Sequence, residues 1–370
     1  MLLLFYPWRD PDEAITGGSS ERLGIWRFVE QHYPGSRRLF GRRETIHSNP
    51  VVESLLSILH LHRLLITALF SRARGYFMLY PAFPFAAPLT NKSFFAAAWF
   101  YVCLRAIATL KGVRIGIRVH DLPRWAVGSA IDSWRTPARP EFMRLLEGIV
   151  LRLADRIWTT SDAEGRIIVE EFKLAPGKVS TSTNGCIRAD ARASVPPDGS
   201  FRFVYSGALQ KEKGIQDMIE AFLRIPRDDV ELYLTGAQGE WLKGSYDDRR
   251  LKLLGLVKTT EDVIGVVKSC DVAIIPYPRH RFNDVMFPTK LALYVVCEVP
   301  VLSTDLVETS RVIRENGIGL SCPAEEMQKY MEMLASRRDL LREFGDNCRR
   351  IKEDFYWDTI LRKAFCQLVG

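Results

Sequence analysis

Several things that this sequence lacks narrow its function before any motif is read. No G-x-G-x-x-G occurs in its 370 residues, which removes the usual fingerprint of a nicotinamide-type dinucleotide site. Its cysteines, Cys103, Cys186, Cys270, Cys297, Cys322, Cys348 and Cys366, are odd in number and never spaced C-x-x-C. Neither a structural zinc site nor a disulfide framework is expected, and reduced thiols serving as small core residues in a cytoplasm fit better. The opening run Met1–Trp8 has too short an apolar core, and no basic flank, for a secretory leader, so it reads as a first β-strand with no export implied. The long apolar run Ser93–Leu110 is interrupted by Arg105 and falls at or below the lower limit of a membrane span; it reads as a buried helix. The basic residues are not interleaved with aromatics as in a stacking platform, so nucleic acid is not an expected partner.

What is present describes an ordinary globular chain, with 47% apolar and 26% charged residues. Its length exceeds what one hydrophobic core usually organises, and two domains follow as the prior. A net charge of +7 and a pI near 9.0 attract anions, whether nucleotides, lipid headgroups or nucleic acid.

The stretch Asp271–Asp305 organises the rest. Two apolar β-type runs, Val272–Pro276 and Val299–Thr304, flank a basic loop and a helix that opens near Pro288. A helix starting just after a parallel strand aims unpaired N–H groups and its positive dipole end at whatever lies beyond the strand's carboxyl end, which suits a phosphate. Lys290 falls in that first turn, where its ammonium can meet a diphosphate. The alternative is an ordinary amphipathic helix with a solvated lysine.

Along the first half, Gly17 and Gly18 follow the opening strand and precede a helical pattern from about Ser20, the start of a βα unit in a doubly wound sheet. A basic cluster, Arg37–Arg43, and an apolar helix with basic ends, Ser54–Arg74, suit an anionic membrane surface; a helix packed on a sheet looks much the same. His60 and His62 diverge on a helix and make a poor metal pair. Tyr76–Phe85 reads as a buried strand running into a proline-rich loop. Val113–Val119 supplies another strand with His120 and Asp121 at its carboxyl end, aimed into the crevice where ligands gather; a histidine satisfied by loop backbone is the alternative.

Ile187–Ser200 has the composition of a linker and marks the domain boundary. A new βαβ series starts at Phe201–Tyr205, after which Gly207 and Gly214 bracket a loop carrying Lys211 and Lys213. Glycine lets backbone approach a ligand, and Lys213 then meets a phosphate from one side as Lys290 does from the other. Helices follow at Thr260–Lys268 and Glu308–Glu315, then two basic amphipathic helices through Arg350 and a last one in Asp354–Leu368.

In order and spacing, His120–Leu122 (HDL), Thr159–Ser161 (TTS), Lys178–Gly185 (KVSTSTNG), Tyr205–Ile215 (YSGALQKEKGI), Leu234–Gly239 (LTGAQG), Phe287–Asp305 and Asn316–Leu320 (NGIGL) make the chain resemble the family 4 type of nucleotide-sugar glycosyltransferases, group 1. The resemblance implies an α/β protein of GT-B architecture, two facing Rossmann-like doubly wound domains with a cleft between them. It implies an acceptor domain over residues 1–190, a nucleotide-sugar domain over 200–350, and a last helix at 351–370 crossing back. Lys213 and Lys290 would hold the diphosphate of a UDP- or GDP-linked donor and act in catalysis with His120. Gly207, Asp284 and Glu308 would join them on the donor side, and Gly17, Gly18, His120 and Asp121 on the acceptor side. No metal or cofactor is expected. The implied activity is retaining transfer of a hexosyl group to a polysaccharide-repeat or lipid-linked saccharide at the cytoplasmic membrane face.

The departures weigh against it. Val285 and Leu293 stand where the family usually carries two glutamates, the second contacting the ribose; Ala208 replaces an arginine, and Glu298 a glycine. Asp284 or Glu308 are the candidate substitutes. The other reading is a catalytically silent GT-B-fold binding or scaffold subunit.

Overall fold

The computed structural model describes residues 1–6, 17–40, 50–80, 91–120 and 140–369. The chain forms two compact units, each built on a six-stranded parallel sheet.

The first unit's sheet contains β1 (Leu3–Tyr6), β2 (Arg37–Phe40), β3 (Gly75–Tyr80), β4 (Arg114–Val119), β5 (Arg156–Thr159) and β6 (Val179–Thr181), in the order β2-β1-β3-β4-β5-β6. Its crossovers are α1 (Gly17–His32, of which the part from Ile25 belongs to this unit), α2 (Pro50–Phe70), α3 (Asn91–Leu110), α4 (Pro140–Leu153) and α5 (Asp162–Phe172). The four inner strands, β1, β3, β4 and β5, are short and largely apolar runs buried on both faces, as parallel strands covered by helices must be, and the edge strands β2 and β6 are not. Adjacent residues of β3 show the two faces. The Tyr76 hydroxyl donates to the Ala68 carbonyl of α2 at 2.9 Å, whereas the Phe77 ring lies 4.9 Å from Phe365 on the opposite side.

The second unit's sheet contains β7 (Phe201–Ser206), β8 (Val230–Thr235), β9 (Leu251–Gly255), β10 (Val272–Ile275), β11 (Val301–Thr304) and β12 (Gly319–Cys322). Their order, β12-β11-β10-β7-β8-β9, is the doubly wound one, with direction reversing between β7 and β10. The helices are α6 (Ile215–Leu223), α7 (Thr260–Lys268), α8 (Arg281–Val285), α9 (Thr289–Val296), α10 (Val307–Asn316), α11 (Met327–Ser336), α12 (Arg338–Ile351) and α13 (Trp357–Val369). From Leu361 onward, α13 belongs to the first unit, where Phe365 also stacks 5.7 Å from Phe28 of α1.

Four sequence expectations change. The basic cluster at Arg37 begins as an edge strand, because Arg37–Phe40 pairs in parallel with Leu3–Tyr6 and an edge tolerates charge; Arg38 lies 4.4 Å over the Trp26 ring. Arg42 and Arg43 of that cluster lie outside the described residues, as do the loop after Tyr80 and Asp121. In the helix expected to be buried, α3, only Phe100, Tyr101, Leu104 and Ala108 are buried among the described side chains, 98–110, and Trp99, Val102 and Leu110 are exposed, since a helix laid on a sheet covers it with one stripe. The basic loop before Pro288 holds α8, whose first N–H groups find a cap in His280: its Nδ1 accepts from Phe282 N–H at 3.2 Å.

The fourth change concerns the connection between the units. The first ends at Ser182, and the segment read as a linker is fastened to the second. Ser194 N–H donates to the Gly265 carbonyl at 3.1 Å and to Ser269 Oγ at 2.9 Å, and Arg202 donates to the Pro196 carbonyl at 2.7 Å. The chain enters and leaves the second unit side by side. Cys186 N–H donates to the Phe355 carbonyl at 2.8 Å, and Trp357 N–H to the Cys186 carbonyl at 3.0 Å. Beside this bridge Arg188 is forked between Glu353 (2.7 Å) and Asp358 (3.2 Å) over the Tyr356 ring, 3.9 Å away.

Gly116 of β4 tests the first core. A Cβ there would lie 2.4 Å from the Trp158 ring and 3.0 Å from Leu368, whereas one on Gly177 would meet nothing. Gly116→Ala is expected to cost about 1–3 kcal/mol through overpacking, and Gly177→Ala to be near neutral. Calorimetric melting of both variants beside the wild type measures the difference.

Candidate functional site

In a doubly wound sheet the ligand crevice lies beyond the carboxyl ends of the two strands where the order reverses. Here these are β7 and β10, and the groups gathered there are Tyr205, Gly207, Lys213, Tyr277 and Lys290.

Lys290 is the second residue of α9 and is buried although charged residues seldom are. Its Nζ donates to Tyr205 Oη at 2.9 Å and Tyr277 Oη at 2.5 Å, and lies 4.1 and 4.3 Å from the centres of the same two rings. The ammonium is therefore solvated by two phenols and their π-faces. The position is over-determined by its neighbours. Tyr294, one turn further along α9, accepts from Ser206 N–H at 3.1 Å and ties the helix to β7. The Tyr277 carbonyl accepts from Thr304 Oγ1 at 2.5 Å, and Tyr205 Oη donates to the Ala208 carbonyl at 3.0 Å.

No carboxylate pairs with Lys290 among the described residues. Both phenols are pushed above their ordinary range by burial, so they remain neutral partners. Burial, and then the nearby Lys213 ammonium, push the Lys290 ammonium well below its ordinary value. The Lys290 amine, with no carboxylate against it among the described residues and the Lys213 ammonium nearby, makes a place that an anion completes. An ammonium has three protons to donate, and two are committed to the phenols.

The backbone is arranged to the same end. Gly207 has φ +144, and a Cβ on it would sit 3.1 Å from Lys290 Nζ; a side chain would fill the space in front of the amine. Gly214 ends the short turn Lys211–Lys213 and begins α6 with φ +71, where a Cβ would lie 2.0 Å from the Pro276 carbonyl. Neither α6, after Gly214, nor α9, after Pro288, has a side-chain cap, whereas α7 has Thr259 and α5 has Ser161. Orphan N–H groups are thus left at the helix starts beside the two lysines.

The other sequence candidates fall as follows. Asp284 in α8 is ion-paired with Arg279 at 2.8 Å, and the buried Glu308 in the first turn of α10 with Arg311 at 2.6 Å. Each carboxylate already has a cation. Val285 ends α8, and Leu293 is a partly exposed residue on α9. His120 belongs to the first unit, half-buried just beyond β4; Gly17 and Gly18 open α1; Asp121 lies outside the described residues. The two tyrosines were not singled out from sequence. The available signal was a tyrosine at or just past the carboxyl end of each of the two strands flanking the reversal.

Residues 200–337 match the family model of the glycosyl transferases group 1. A glycogen synthase of Mycobacterium tuberculosis is 23% identical over 260 residues, an alignment covering 65% of this chain and 61% of the synthase. The chain thus spans about three fifths of that relative. Among solved structures, sucrose-phosphate synthase from Thermosynechococcus elongatus superposes with a TM-score of 0.73 at 14% identity, covering 99% of this chain and 98% of the other. Anabaena HepE in complex with UDP gives 0.64 at 14% identity, covering 100% and 99%. The fold is GT-B, two Rossmann-like parallel α/β units.

The buried amine makes stability depend on pH. In the folded protein Lys290 loses its proton well below the ordinary 10.5, while in the unfolded chain it keeps it to that value. Through the interval between, the unfolded state binds more protons, so this group's contribution rises with pH, by about 1.4 kcal/mol per pH unit at most. Urea unfolding across that interval should show wild-type stability rising relative to Lys290→Met. Parallel profiles would show that the amine titrates as in water.

Proposed function

We propose that this GT-B chain is a retaining glycosyltransferase that moves a hexosyl group from a UDP- or GDP-linked donor to a saccharide or lipid-linked saccharide acceptor. The buried Lys290, held between Tyr205 and Tyr277 near Lys213 and itself paired with no carboxylate among the described residues, carries the proposal. Breaking a sugar–phosphate bond builds negative charge on the departing nucleoside diphosphate. Fixed donors aimed at that charge stabilise the transition state without reorganising. The two amines and the uncapped starts of α6 and α9 supply such donors from protein groups alone, so no metal is assigned to this role. Gly207 leaves the space for close approach, and the family resemblance assigns His120 to the sugar and acceptor. HepE, of the same fold, is described in complex with UDP, which supports a uridine nucleotide as the first donor class to test.

Val285 and Leu293 favour a second reading. Where the ribose carboxylate is missing, a charged hydrogen bond worth about 1.5–3 kcal/mol is missing too, and the two nearby candidates, Asp284 and Glu308, are engaged with arginines. A chain that kept the fold but lost its donor would serve as a binding or scaffold subunit.

A thermal-shift screen against UDP, GDP and their sugar conjugates separates the two. A bound nucleotide at a hundredfold excess over its dissociation constant adds about 2.7 kcal/mol. The transferase reading expects a shift in the wild type that is absent in Lys290→Ala. Tyr277→Phe, which removes one hydrogen bond to the amine, is expected to weaken binding by roughly tenfold. A folded wild type that none of these ligands stabilises would leave the scaffold reading.

A further inference from the structure

The first unit carries an apolar face unrelated to the anion site. On α2, Leu61, Leu64, Leu65 and Ala68 are buried beneath the helix. Opposite them, at spacings of four, three and four, stand Leu59, Arg63, Ile66 and Phe70, exposed at 57% for Leu59 and Ile66 and 79% for Phe70. On α3 the outward stripe is Trp99, Val102, Ala106 and Leu110, with Trp99 at 58% and Leu110 at 82%.

The two stripes adjoin. The helices pack side by side, and Lys111 joins their ends by donating to the carbonyls of Ala68 at 3.0 Å, Leu69 at 2.8 Å and Ser71. Phe70 and Leu110 therefore project at the same end. Isolated exposed apolar residues are ordinary, but a continuous face across two helices marks a docking surface.

Charge identifies the occupant. From Ser54 to His120 the sequence contains no aspartate or glutamate, while it contains Arg63, Arg72, Arg74, Lys92, Arg105, Lys111, Arg114 and Arg118. Arg105 is consumed by Asp155 and Arg118 is buried, but Arg63 sits within the stripe, and Arg72 and Arg74 follow the end of α2, exposed. Some exposed arginines elsewhere are matched locally, as Arg337 is by Asp339 and Arg349 by Asp346. A second copy of this chain would set this acid-free face against itself, arginine towards arginine. An anionic bilayer offers both apolar depth for Leu59, Ile66, Phe70, Trp99 and Leu110 and phosphate for the arginines around them. No described helix is long and apolar enough to cross a membrane, so the contact is one of lying on the surface.

We propose that the exposed face of α2 and α3 docks this protein onto an anionic lipid surface. The contact is independent of the transferase reading, because none of its residues touches Lys290 or its partners.

Co-sedimentation with vesicles of phosphatidylcholine mixed with phosphatidylglycerol, and with phosphatidylcholine alone, tests it. The wild type should bind the mixed vesicles, more weakly at high salt. The triple variant Leu59→Ser, Ile66→Ser, Phe70→Ser should lose at least about tenfold in partitioning. Arg63→Glu should lose roughly tenfold on the anionic vesicles and little on the neutral ones. Trp99→Ser repeats the test from α3 should the triple variant fold poorly, with melting temperature as the control. Equal binding to both vesicle types, no binding, or variants that bind like the wild type would each overturn the proposal. A wild-type oligomer in size-exclusion chromatography that these substitutions dissociate would also overturn it and assign the face to a second copy. UDP-induced stabilisation of the same variants, unchanged from the wild type, shows that failure here is separate from failure of the donor site.

Discussion

Burying the Lys290 ammonium between two phenol rings carries a desolvation cost that no neighbouring carboxylate offsets. Much of the second unit's local construction follows from this. The hydrogen bond from Ser206 to Tyr294 fixes α9 against β7, the bond from Thr304 fixes the chain after β10, and Gly207 keeps the space before the amine open. The tension is useful because an anion relieves it. On the proposed reading, a phosphate entering beside Lys213 and Lys290 would recover interaction energy that is withheld in the free protein.

The same accounting explains why Val285 and Leu293 weaken the site without abolishing its logic. The family's carboxylates would grip the nucleoside, whereas the amines respond to charge on the diphosphate. On the transferase reading, a chain that has lost the first and kept the second would be poorer at holding its donor than at stabilising departure of the nucleotide. The ion pairs of Asp284 with Arg279 and of Glu308 with Arg311 hold α8 and the start of α10 in shape, and rupture of either would leave a partly or wholly buried charge alone.

The sequence disclosed the inner parallel strands readily, because strands buried on both faces must be continuous apolar runs, and it placed Lys290 in the first turn of a helix after a strand, because a proline and the pattern behind it are local properties. It concealed what depends on distant neighbours. Tyr205 and Tyr277 are separated by 72 positions and meet only when β7 and β10 pair. The apolar run of α3 gave no hint of which of its sides the sheet would cover. The Arg37 cluster hid an edge strand because its pairing partner, not its composition, makes it one. The linker composition of Ile187–Ser200 was real, but Gly265 and Ser269 supply hydrogen-bonding partners that hold it down.

The bridge between Cys186 and Trp357 also bears on how the protein is made. Thr183–Ile360 is a segment whose two ends meet, so on the ribosome the second unit can acquire all its own strands and close its ends together as one local event. The first unit has no such independence. Its opening strands are synthesised early, but the surface of Phe28 and Phe77 stays uncovered until Phe365 arrives, after the whole second unit has been translated. Through that interval the older half of the chain waits with an incomplete core, which makes it, rather than the second unit, the part most open to misassociation during synthesis.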